Sequence, residues 1–236
     1  RLNRCSCFCK KRVHNVAISE VKTALIKVFK QWGKPKSIQV DNCLPFVTPP
    51  RDIPTPLLMW LIDIGIGVQR IRPYQPTDNA VVERMQDVTY RWAEPYNCKT
   101  VEALNEALEQ TCQINRSQYP CDRLGGRTRA EAYPDLLKGG TPYQENDYDV
   151  QRVLQFLAKG HWIRKASKKG LISFCSRKWN LSTKHKGQDV FVHLDVEQNE
   201  WVVSSDQAIE IKRFKNDFIT QKRILKLELE PINVDT

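Results

Sequence analysis

The residues with the best claim to chemistry are two carboxylates. Asp41 follows a predicted strand, Ser37–Val40, and Glu83 falls in the first turn of a predicted helix over Ala80–Ala93. Ligand-binding groups of open α/β sheets sit at the carboxyl ends of strands, which is where Asp41 lies. Carboxylates brought together from separate elements suit hard divalent cations, because Mg²⁺ takes oxygen ligands and fills its shell with water and substrate phosphate. Two such ions, roughly 3.5–4 Å apart, activate an attacking oxygen and stabilise a leaving one in phosphoryl transfer. Spacing alone leaves a second reading open. An Asp after a strand often caps a turn, and a helix Glu on an outward face is often only solvated.

The elements around this pair follow α/β grammar. Residues 5–13 alternate and predict a strand. Ser19 is placed to cap a helix whose Val21, Ala24, Leu25, Val28, Phe29 and Trp32 recur at 3.6-residue spacing, and Gly33 and Pro35 end it. A short strand to Val40 follows, so strand, crossover helix and strand appear in order. Beyond a proline-rich loop, residues 57–64 predict an apolar helix and 68–71 a strand. The helix carrying Glu83 has Val81, Met85, Val88 and Trp92 along one stripe, with Glu83, Gln86, Asp87, Tyr90 and Arg91 opposite. Thr100 opens a further helix to Gln118, and Thr128-Arg129-Ala130-Glu131 has capping-box form. Residues 139–150 read as a linker. After it come five short predicted strands (162–166, 171–175, 189–194, 201–204 and 208–212) separated by turn residues, which suggest a small barrel. The tail from 216 to 236 has no decided state.

Charge is unevenly spread over the 236 residues, whose net charge is +10. Residues 1–40 hold ten Lys/Arg and one acid, Glu20. Residues 41–150 hold eleven against sixteen, and residues 151–236 sixteen against ten. Between Gly160 and Gly187 lie Arg164, Lys165, Lys168, Lys169, Arg177, Lys178, Lys184 and Lys186, with no acid at all. Like charges that dense repel unless an anion compensates them, which points to a polyanion. The eight cysteines lack paired C-x-x-C spacing for zinc and read as reduced thiols, which implies a cytoplasmic setting. No apolar run reaches the ~18 residues of a membrane helix.

The residues around the carboxylates add a resemblance. Ser37-Ile-Gln-Val-Asp41-Asn42-Cys-Leu-Pro-Phe46, then Val68-Gln-Arg-Ile-Arg-Pro73, then Pro76-Thr-Asp-Asn79-Ala-Val-Val-Glu83-Arg84 resembles the integrase core of DDE-type transposases and retroviral integrases. The likeness continues through Arg91-Trp-Ala-Glu-Pro95 and Gly126-Arg-Thr-Arg-Ala-Glu-Ala-Tyr-Pro134, as in bacterial insertion-sequence transposases. It implies an α/β fold: a ribonuclease H-like integrase core over 1–138, truncated before its first strand, then a small basic all-β barrel over 151–215 for DNA binding or assembly. Asp41 and Glu83 match the second and third catalytic, metal-binding carboxylates. Asn79 would position the loop before the Glu83 helix, and Arg84 would contact DNA phosphate.

The implied cofactor is Mg²⁺ or Mn²⁺, two ions in a complete site. The implied partners are double-stranded DNA, as transposon ends and target, and further copies of the chain, with no membrane. The implied setting is the nucleoid of a bacterial cytoplasm. The implied reaction is attack of water, then of a DNA 3′-hydroxyl, on a phosphodiester. Cys43 stands where the family has glycine and Arg129 where many relatives have proline. The first catalytic aspartate has no counterpart here, and the resemblance places it just upstream of Arg1. A degenerate remnant that binds DNA or assembles without cutting is the alternative. Asp87 reads as a solvated helix acid rather than a supporting one. His161 and His185 read as surface or DNA-contacting groups, and Trp162, Trp179 and Trp201 as core.

Overall fold

The computed structural model describes residues 17–40, 45–46, 53–72, 75, 77, 80–136 and 141–228. The expected strand over 5–13, Asp41 and Asn79 lie outside them. The chain is mixed α/β with open sheets. In chain order the elements are α1 (Ile18–Trp32), β1 (Ser37–Val40), α2 (Pro56–Asp63), β2 (Gly67–Arg70), α3 (Ala80–Ala93), α4 (Val101–Ser117) and α5 (Arg129–Ala132). They continue with α6 (Val150–Ala158), β3 (Trp162–Lys165), β4 (Leu171–Phe174), β5 (Arg177–Asn180), β6 (Asp189–Asp195), β7 (Glu200–Ser204), β8 (Glu210–Lys215) and α7 (Gln221–Lys226).

Packing divides the chain into two units, one of residues 1–35 and 70–144, the other of 36–69 and 145–236. This division differs from the linear one expected at residue 138, because the segment carrying β1, α2 and β2 packs with the carboxyl-terminal residues.

The first unit is helical. α1 buries Leu25 and Phe29, as its periodicity requires, but its N-cap is Ala17, whose carbonyl accepts from Glu20 and Val21. Ser19, the expected cap, lies inside the helix, where its carbonyl accepts from the Thr23 hydroxyl. α3 packs on α4, and α4 on α5. Only Met85 and Ala93 of α3 are buried; Val81 and Trp92, expected on the apolar stripe, are 38% exposed. Thr100 caps α4 through its side chain. The capping box of α5 is complete: Thr128 Oγ1 accepts from the Glu131 amide, and the Glu131 carboxylate accepts from the Thr128 amide at 2.7 Å. The Thr128 amide and hydroxyl, both donating to it, hold the Glu131 carboxyl below its usual pKa.

The second unit is built on α2. Pro56 at its first turn and the Thr55 side chain on the Leu58 amide start it. Leu57, Leu58, Met59, Trp60 and Leu61 are all buried, the signature of a helix apolar all round and enclosed by neighbours. Those neighbours are α6 and α7. α6 was not anticipated, although Asp149 caps it and Val153, Leu154 and Leu157 are its buried face. α7 gives the tail a defined start, capped by Thr220 with Ile224 buried.

The strands after α6 form an antiparallel sheet in the order β3-β6-β7-β8, while β4 and β5 pair as a separate hairpin. Hydrogen bonding therefore closes no ring among the described residues. The core between them is aromatic. Trp201 is fully buried, its ring 5.0 Å from Phe174, 5.7 Å from Trp162 and 5.7 Å from Phe218, with Trp179 at 6.4 Å. The three tryptophans serve as core, as their spacing implied.

Among the described residues, one charged side chain is buried in this unit. Asp63, the last residue of α2, is fully buried; its Oδ2 accepts from Gln221 Nε2 of α7 at 2.7 Å, while its Oδ1 has no hydrogen-bond partner. Its backbone oxygen takes the Asp149 amide and Arg152 Nη1. Burial pushes the carboxyl pKa above its usual value, and the Gln221 bond, the Asp149 amide and the Arg152 charge pull it only partly back. For an acid raised by folding, the stabilising contribution is present below the unfolded pKa and is lost as pH rises through the folded one. Asp63→Asn is therefore expected to stabilise the protein by about 1 kcal/mol at neutral pH, the lower end of the cost of an unpaired buried group. The gain should shrink towards the acid side. Thermal melts across that range check this, and an equal change at every pH would contradict it.

Candidate nucleic-acid interface and the carboxylate pair

Glu83 lies in the first turn of α3, exposed, on the side away from buried Met85, and Arg84 beside it is exposed as well. Four residues on, the Asp87 carboxylate forms an i,i+4 ion pair with Arg91. Asp87 is thus engaged with its own helix, as expected of a solvated acid. Asp41 and Asn79 fall outside the described residues, so the structure places only Glu83 and Arg84 of that expected set. Among the described residues, no three His, Cys, Asp or Glu side chains are grouped to hold a metal ion.

The basic residues are where local geometry is informative. Four of them are on loops that the backbone ties together at one end of the strands, and a fifth, Lys165, is the last residue of β3. The Ala166 amide donates to the Gln188 carbonyl, the Gly187 amide donates to the Ala166 carbonyl, and Leu181 donates to Gly170. Gly170 is required where it stands. Its φ is +70° and a Cβ there would lie 2.0 Å from the Ser182 carbonyl oxygen, so the turns approach backbone to backbone. Lys168 and Lys169 on one side, and Lys184 and Lys186 on the other, are therefore carried on adjoining turns, with Lys165 at the end of β3 leading into the first of them. All five are exposed, and none belongs to an ion pair among the described residues. Three acids of the same unit are occupied elsewhere, whereas Asp189, exposed on β6, is the cross-strand neighbour of Lys165. Asp195, Glu200 and Glu210 surround Arg213 at 2.8, 3.6 and 2.9 Å. That network raises the Arg213 pKa further and lowers that of Asp195. The sheet thus carries an acid-rich cluster around Arg213 and an end at which these five lysines form no ion pair among the described residues.

The remaining three cations behave differently. Arg164 is half-buried, donating to the Ser173 and Ile163 carbonyls with its guanidinium 5.1 Å from the Phe174 ring centre. Arg177 is bonded to Asp217, and Lys178 is exposed opposite Ser173 on the β4–β5 hairpin. Two cations on β8, Lys212 and Lys215, were missed. They lie outside the acid-free run, in Ile211-Lys212-Arg213-Phe214-Lys215, where three of five residues are basic. His185 bonds Gln188, while His161 lies 5.8 Å from His193, ring centre to ring centre. Burial and the neighbouring His161 lower the His193 pKa. Cys98 and Cys121 are free thiols, and no helix of the described residues is long and apolar enough to cross a membrane.

No known family model matches the chain, and no curated protein matches it.

Proposed function

We propose that the chain belongs to the transposase–integrase type of DNA strand-transfer protein, with Asp41 and Glu83 as two of its catalytic carboxylates. The observation that carries this reading is the joint sequence pattern Asp41-Asn42, Asn79 and Glu83-Arg84. The exposed position of Glu83 in the first turn of α3, open to a ligand, supports it. So does the set of exposed lysines on the strand-end loops, because a DNA-processing protein must hold a polyanion while it acts on it. The ribonuclease H-like core and the small barrel are part of the same proposal. Asp41 and Glu83 would hold Mg²⁺ or Mn²⁺, which supplies Lewis acidity at the phosphodiester and an activated water. Arg84 and Asn79 orient DNA and the loop before α3.

A second reading, a DNA-binding or assembly module without catalysis, is favoured by the lysine loops alone, since they need no carboxylate pair. The experiment that separates the two is a Mn²⁺-dependent nicking and strand-transfer assay on a protein extended upstream to supply the first aspartate, alongside DNA affinity over a range of salt. Strand transfer is expected from the extended protein, and none from residues 1–236 alone. With five phosphate contacts the log–log salt slope should be about −4 to −5, at −0.9 per contact. Binding without cleavage selects the module, and salt-insensitive binding rejects both.

A further inference from the structure

Where β5 and β8 approach, Arg177, Lys178, Trp179, Phe214, Lys215 and Asp217 line an open recess of about 310 Å³. Its floor is aromatic and already packed. Trp179 and Phe214 are stacked with ring centres 4.4 Å apart, and Trp179 is only 5% exposed, so it offers no free face to a flat ligand. Its rim is cationic. Lys178 and Lys215 are exposed, and Lys212 flanks the recess, its ammonium donating to the Asn180 carbonyl at 2.8 Å and lying 5.3 Å from the Phe214 ring centre. Arg177 is braced from behind, its guanidinium 5.0 Å from the Phe218 ring centre. In front, Arg177 Nη1 meets Asp217 Oδ1 at 2.5 Å.

Among the described residues, Asp217 is thus the only acid lining the recess, and its carboxylate is in the place that an oxyanion bound by Arg177 would take. Its side chain is 62% exposed, so nothing holds it there but this pair and the attraction of the rim. An exposed pair of this kind contributes little and exchanges readily with a competing anion. A phosphodiester is the competing anion that fits best. Its charge is carried on oxygens with the fork geometry a guanidinium prefers, and it arrives with like neighbours that Lys178 and Lys215 can meet together. An isolated carboxylate would gain no more than Asp217 already gives.

We infer that this recess is a second nucleic-acid backbone site, distinct from the lysine loops, in which a DNA phosphate displaces Asp217 from Arg177. It rests on the DNA-binding part of the function proposed above but on none of its catalytic part. Asp217 acts there as an internal stand-in that weakens DNA affinity, and its removal strengthens binding.

The test is fluorescence anisotropy of a labelled double-stranded DNA against the full chain and three variants, with a labelled polyglutamate peptide as a second probe. Asp217→Asn is expected to tighten DNA binding up to about fivefold, the worth of one exposed ion pair. Lys178→Gln with Lys215→Gln should weaken it and make the salt slope shallower by about two contacts, near 1.8. Both sets of positions are on the surface, and matching melting curves confirm that the fold is intact. Unchanged or weaker binding by Asp217→Asn overturns the site. So does a Lys178/Lys215 variant that binds DNA as the unaltered chain does. Tighter binding of polyglutamate than of DNA also overturns it, in favour of an acidic protein partner. A variant with Lys165, Lys168, Lys169, Lys184 and Lys186 all changed to Gln keeps the two readings apart. If it alone loses affinity, the DNA reading stands and the recess falls, whereas an unaltered chain that binds no DNA ends both.

Discussion

Glutamine in place of Glu83, in the upstream-extended protein, is expected to remove metal-dependent nicking by about a thousandfold or more while leaving DNA affinity within about twofold. The size follows from what a carboxylate does in such a site. Losing one anionic ligand removes several kcal/mol of stabilisation for the ions and the charge developing on the phosphodiester, and about 4 kcal/mol corresponds to three orders of magnitude in rate. Binding should hardly change, because Glu83 is one exposed acid on α3 and the exposed lysines are carried by the other unit. Nicking rates and anisotropy on the same preparations read both quantities. Undiminished nicking would remove Glu83 from the chemistry. A parallel loss of DNA affinity would instead make it a structural residue. Glutamine preserves size and helix propensity at an exposed site, so misfolding is no ready escape from either outcome.

Alanine at Trp201 should have the largest effect on stability. The side chain is fully enclosed by Trp162, Phe174, Trp179 and Phe218 and is stacked nearly parallel to Phe218, at 6°. Truncating a buried aromatic of this size costs roughly 3–5 kcal/mol through lost transfer energy and the cavity left behind. That is a large share of the ~5–15 kcal/mol by which domains are stable. Trp201 also ties the loop after β8 to the sheet, since its Nε1 donates to Asn216 Oδ1 at 3.2 Å, and Asn216 in turn holds Asn199 and the Ile219 amide. Trp201→Phe keeps most of the packing and loses that one bond, so about 1 kcal/mol beyond the volume change is expected. Urea unfolding followed by circular dichroism ranks the two variants. Equal midpoints for Trp201→Ala and the unaltered chain would mean that the aromatic cluster is not the core of the carboxyl-terminal unit.

What could be read from the sequence tracks how local the cause is. The capping box at Thr128 and Glu131, the Thr100 cap and the bounds of α3 and α4 depend on residues three or four apart, and all were legible. Val81 and Trp92 misled because periodicity shows which side of a helix is apolar, not whether a neighbour arrives to cover it. β5 was missed because its hairpin turns through Cys175 and Ser176, both at positive φ (51° and 58°), where Asn-Gly or Asp-Gly is the usual signal. α6 carried a readable pattern in Val150, Val153, Leu154 and Leu157, yet it is only nine residues long and depends on packing against α2, far away in sequence. The candidate site divides in the same way. The run of lysines was plain in composition, but the turns that bring Lys168 and Lys184 together depend on the close approach at Gly170, and the contribution of β8 to a recess depends on its pairing across the unit.

The bond from Gln221 to Asp63 spans 158 residues, and α2 is the centre of what those residues enclose. During synthesis the oily faces of Leu57, Met59, Trp60 and Leu61 leave the ribosome long before α6 and α7 exist to shield them. At about 5–20 residues per second that wait is roughly 8–32 s. The nascent chain therefore needs a chaperone, or a temporary fold of its own, to keep this helix from sticking to other chains. A protein cut short before residue 150 would carry that adhesive segment permanently.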